Sequence, residues 1–64
     1  MPVLYPRKEI HPQAHESYRV ILEDDGLAEV ALVSCSPAAR GCSPESATID
    51  GEPTAVGGLK LATP

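Results

Sequence analysis

The chain has 64 residues, with five Lys+Arg against nine Asp+Glu and a net charge of −4. That length allows one small domain, which buries only about 60% of the surface its unfolded form exposes, and the acidic balance is wrong for a phosphate-binding surface, so nucleic acid is not an expected partner. Without Phe or Trp the interior must come from five Val, three Ile, six Leu and two Tyr, so a staple, a metal or a partner surface is expected to complete it.

Residues 1–17 carry Pro2, Pro6 and Pro12. Proline removes a backbone donor and biases the preceding residue to extended conformations, so this stretch is expected as an arm. Its apolar residues, Val3, Leu4, Tyr5 and Ile10, would pack across the chain's own domain or reach onto a neighbouring subunit. There is no apolar run of the length a signal peptide needs and nothing near the roughly 18 apolar residues of a membrane-spanning helix. The expectation is a cytoplasmic or virion protein, not secreted by a signal peptide and with no membrane partner. Cys35 and Cys42 are then expected as thiols unless the setting is oxidising.

Residues 18–64 are expected as a small β-rich domain. Its clearest part is 18–33, two β-prone runs around Glu23-Asp24-Asp25-Gly26, which reads as a hairpin. A two-residue Asp25-Gly26 turn would mix polar and apolar groups on both faces. A three-residue loop, Asp24-Asp25-Gly26 with Gly26 left-handed, pairs Leu22 with Ala28, Val20 with Val30 and Tyr18 with Leu32, which makes one face apolar. Ile21, Leu27 and Val33 then stand on the outer face beside Arg19 and Glu29. A short helix over 27–33 is the competing reading, but it has no stop signal.

Residues 34–46 hold Cys-Ser-Pro twice among small residues and are expected as a loop. Residues 47–56 form a weaker hairpin around Asp50-Gly51, with Pro53 confined to an edge. Gly57-Gly58 marks a bend before a last strand from Leu59 to Ala62. The fold class is therefore mainly β, a small single domain of three to five short antiparallel strands with extended ends.

Chemistry-bearing residues are few. His11, His15, Cys35 and Cys42 are four candidate zinc ligands, although the cysteine spacing is wider than a zinc knuckle uses and Pro12 separates the histidines. A Cys35–Cys42 disulfide is the alternative staple, worth about 2–3 kcal/mol. A Cys–His nucleophile pair, or Ser34 in place of the thiol, would need a pocket that so small a core seldom preorganises. Glu23-Asp24-Asp25 lacks the alternating ligands of a calcium loop and reads as a solvated turn. No cofactor is expected.

The functional expectation is a non-enzymatic structural or accessory subunit of a larger assembly, a virion component being one example. It would bind homo- or hetero-oligomeric protein neighbours through exposed strand edges and through Val3, Leu4, Tyr5, Ile10, Ile21, Leu59 and Leu61. The alternative is an autonomous adaptor that binds one protein, stapled by zinc or a disulfide.

Overall fold

The structure is a computed structural model that describes residues 2–63; Met1 and Pro64, the outer ends of the expected arm and of the β-rich region, lie outside the described residues. Its elements are β1 (Val3–Leu4), β2 (Ser17–Ile21), β3 (Leu27–Ser36), β4 (Gly41–Ile49), β5 (Glu52–Thr54) and β6 (Lys60–Ala62). They form one six-stranded sheet in the order β1-β6-β4-β3-β2, with β5 paired to β4 off that path. The mainly β fold is as expected, with two corrections: the described residues form six strands, and β1 runs parallel to β6. Nearly the whole chain separates those two strands, so no tight turn forces them antiparallel.

The expected arm folds back on its own domain. Beyond β1, Pro6 bridges Leu22, the Arg7 N–H donates to the Ile21 carbonyl at 2.7 Å, and the Glu23 N–H donates to the Tyr5 carbonyl at 2.9 Å. Residues 5–7 thus join the two ends of the sheet, which curls into a nearly closed barrel. Inside lie Leu4, Val20, Leu22, Ala28, Val30, Leu32, Cys42, Ala47, Leu59 and Leu61.

The first hairpin keeps the expected faces but not the expected register. Val20 opposes Ala28 and Tyr18 opposes Val30, a displacement of two residues that leaves every side chain on its expected side. The loop is Glu23-Asp24-Asp25, closed by the Leu22 N–H donating to the Gly26 carbonyl at 2.7 Å. Asp25, not Gly26, is left-handed, with φ 67°. Aspartate tolerates that region better than most residues, and the Asp24 carboxylate accepts from the Gly26 N–H at 2.9 Å, fixing the turn locally.

The expected loop at 34–46 is mostly strand. Only Pro37-Ala38-Ala39-Arg40 turns, with the Arg40 N–H donating to the Pro37 carbonyl at 3.2 Å and Arg40 at φ 50°. Strands β3 and β4 shift register twice, between Ala31 and Leu32 and between Leu32 and Ser34, which leaves Val33 and Glu45 without opposite residues. Each unpaired residue reverses the in–out alternation. On β3 the inward positions step from Leu32 to Cys35, and on β4 from Pro44 to Ala47. The same irregularity accommodates Pro44, which has no N–H for a regular ladder.

The weaker hairpin forms as expected, with Ala47 opposite Thr54 and Ile49 opposite Glu52. Asp50 and Gly51 are both left-handed, at φ 53° and 84°, the geometry of a two-residue hairpin turn. Pro53 lies on β5, which pairs only with β4, and so occupies an edge.

Candidate functional site

Strand β2 ends the sheet, and its hydrogen-bond alternation sets what its free edge offers. Leu22 bonds to Gly26 and Glu16 to Leu32, so the even-numbered residues of β2 face β3 and the backbone groups of Ser17, Arg19 and Ile21 point away from it. Residues 5–7 engage only the far end, through the Ile21 carbonyl. Among the described residues, nothing bonds to the outward N–H and carbonyl of Arg19.

Beyond Arg7 the chain leaves this edge, and the gap is a groove of about 520 Å³ lined by Pro6, Arg7, Lys8, Ile10, Arg19, Val20 and Ile21. Three of the chain's five cations stand on it, without a carboxylate. Two of them have partners on the outer face. Arg7 Nη1 lies 2.7 Å from Asp25 Oδ1, and Arg19 Nη2 lies 3.4 Å from Glu29 Oε2. All four of these side chains are 49–72% exposed, so the pairs hold weakly and can be exchanged for others. Lys8 makes no ion pair among the described residues. Ile21, at 53% exposure, supplies an apolar wall beside them.

The residues expected to bind partners divide into two groups. Leu4, Leu59 and Leu61 are 8%, 4% and 0% exposed in the chain's own core, a correction to their expected place on a partner surface. They are consumed because β1 and β6 complete the barrel. Tyr5 and Ile21 are exposed, Val3 is half-buried, and Ile10 packs partly on the core while lining the groove. Asp24 and Asp25 sit in the β2–β3 loop and Gly26 closes it, without the left-handed conformation expected of it. Arg7, Lys8 and Arg19 were missed, although their crowding into residues 7–19 of an acidic chain was a readable signal.

Cys35 opposes Cys42 in the β3–β4 ladder and the two form a disulfide. The expectation of free thiols is thereby corrected, and with it both candidate roles that need them. The sulfurs are bonded to each other, so they cannot join His11 and His15 around zinc, and neither is available as a thiolate nucleophile. His11 is exposed beside a small depression that Cys35, Pro12 and Gly41 also line. His15 is exposed at a left-handed φ of 64°. Among the described residues no group of three or more His, Cys, Asp or Glu is placed to hold a metal ion.

Tyr18 fixes the approach to β2. Its hydroxyl donates to Glu16 Oε2 at 2.9 Å and accepts from the Gln13 N–H at 2.8 Å, tying the crossing segment to the strand. The segment that walls the groove is therefore held before and after it, by the Pro6–Leu22 bridge and by the Gln13–Tyr18 hydrogen bond. No protein-family model, curated protein or solved structure matches the chain, so the reading of this groove rests on its geometry.

Proposed function

We propose that the chain is a small non-enzymatic protein-binding module that adds an extended segment of a partner to the outer edge of β2. The observation that carries this reading is the unpaired outward backbone of Arg19, on the edge of β2 that faces a groove. Unpaired strand edges template further strands, giving affinity through main-chain bonds and selectivity through alternate side-chain contacts. Folding back of Leu4 and Leu61 and the Cys35–Cys42 staple support a domain that folds alone, the adaptor form of the expectation. A disulfide also suits an oxidising setting better than a reducing one.

A second reading, an accessory subunit of a larger assembly, is favoured by Tyr5, Ile21 and Val33, which are 54%, 53% and 41% exposed. Native mass spectrometry with circular dichroism separates the two: a folded monomer supports the adaptor, and a defined oligomer or an unfolded isolated chain supports the subunit. The edge itself is tested by selecting binders from a random peptide library and mapping them by amide shifts. Binders should shift Arg19 and Ile21 and be lost in Arg19→Pro, which removes an outward N–H while sparing the β3 ladder. Binders that map elsewhere, or that survive this substitution, would sink strand addition.

A further inference from the structure

We infer that the segment taken up beside β2 is acidic, with carboxylates alternating with small branched apolar residues. This rests on the strand-addition reading and specifies its partner. The chain carries −4 overall, yet Arg7, Lys8 and Arg19 line the groove with no acidic residue among its walls. The lining is therefore basic in an acidic chain, although Asp25 and Glu29 partly offset Arg7 and Arg19, and basic segments are disfavoured there. The existing pairs of Arg7 with Asp25 and Arg19 with Glu29 are exposed and small in energy, so an incoming carboxylate can replace them at little cost.

The apolar half of the pattern comes from Ile10, Val20 and Ile21, which share the groove with the cations. An extended segment points successive side chains to opposite sides. The set on the outer face would meet Arg19, beside Ile21, while the other set turns toward Val20 and Ile10. Guanidinium groups favour bidentate contact with carboxylates, so Arg19 is the residue expected to select the acid.

The test uses the full-length chain, labelled with nitrogen-15, and peptides of about six residues, enough to span β2. One alternates Glu and Val, a second alternates Lys and Val, and a third is the Glu-Val peptide N-methylated at alternate amides. Oligothymidylate serves as a competitor. The Glu-Val peptide should bind at least about tenfold tighter than the Lys-Val peptide, shift the amides of Arg19 and Ile21, and weaken severalfold in high salt. N-methylation should abolish binding, and the folded Lys8→Gln/Arg19→Gln variant should lose the acidic preference.

Equal affinity for the two charge types, with sensitivity to N-methylation, overturns the acidic preference and leaves strand addition standing. Acidic preference that survives N-methylation overturns strand addition and with it the proposed function. Displacement by oligothymidylate at equal concentration assigns the groove to phosphate and overturns the acidic protein segment. A dimer that the Glu-Val peptide dissociates would make a second copy of this chain the occupant, overturning a separate partner. Absence of binding by every probe overturns both readings.

Discussion

The β3–β4 hairpin and the seam between β2 and residues 5–10 sit in the same sheet but are held by different means. The hairpin has a ladder running from Ala28 opposite Ile49 to Ser36 opposite Gly41, closed by a disulfide. The seam has one isolated bridge, two backbone hydrogen bonds and one exposed ion pair, Arg7 with Asp25. The chain concentrates its stability at one side and leaves the other with backbone groups to offer. Binding edges belong to the weakly held end of a fold, where a ligand can pair without displacing a structural partner.

Strand β6 links these regions, because it pairs with β4 at Cys42 and with β1 at Leu4 through Leu61. Leu61→Ala is therefore expected to have the largest effect, about 3 kcal/mol in urea unfolding. A loss below about 1 kcal/mol would place Leu61 outside the core. Removing the disulfide in Cys35→Ser/Cys42→Ser should cost about 2–3 kcal/mol while leaving peptide binding at β2 unchanged. Lost binding in a folded double variant would mean that the two regions are coupled.

The contrast sharpens in amide exchange. The Arg19 N–H should exchange at least about a hundredfold faster than that of Val30, and a peptide at the edge should close most of that gap. Equal protection in the free chain would show that the edge is already occupied. At the tip between the regions, Asp25→Val should cost about 1–2 kcal/mol because a β-branched residue resists φ 67°. Gly26→Ala should cost less, since the nearest atoms to its added Cβ are side-chain oxygens that can shift, Asp24 Oδ1 at 3.0 Å and two more distant Asp50 oxygens. The reverse order would return the left-handed position to Gly26. Arg19→Ala closes the series, changing stability by less than about 0.5 kcal/mol while weakening the Glu-Val peptide severalfold.

Much of the strand content was legible because its signals are local. Alternation placed Val20, Leu22, Ala28, Val30 and Leu32 on one face, and Asp50-Gly51 marked its own turn. The first hairpin's register was missed because Asp25 and Gly26 can both adopt the left-handed conformation, and a displacement of two residues preserves the faces. Residues 34–46 were read as loop because small residues and prolines fill the segment, and Pro44 has no N–H for a regular ladder. The bulges that rescue it exist only when β3 and β4 lie side by side.

The candidate site was less legible than the fold. Ile10 and Ile21 stood out as apolar residues, but the groove needs Arg7 and Lys8 beside Arg19, a closeness created by residues 5–7 returning to the end of β2. The sequence by itself determined the β class, the place of two hairpin turns and the sidedness of the first hairpin, since these follow from neighbouring residues and a period of two. Only the tertiary structure decided the parallel β1–β6 pair, the meeting of Cys35 with Cys42, and which edge remained open. Those depend on pairings between distant segments, where many combinations satisfy the local pattern and only one also closes the barrel over a shared core.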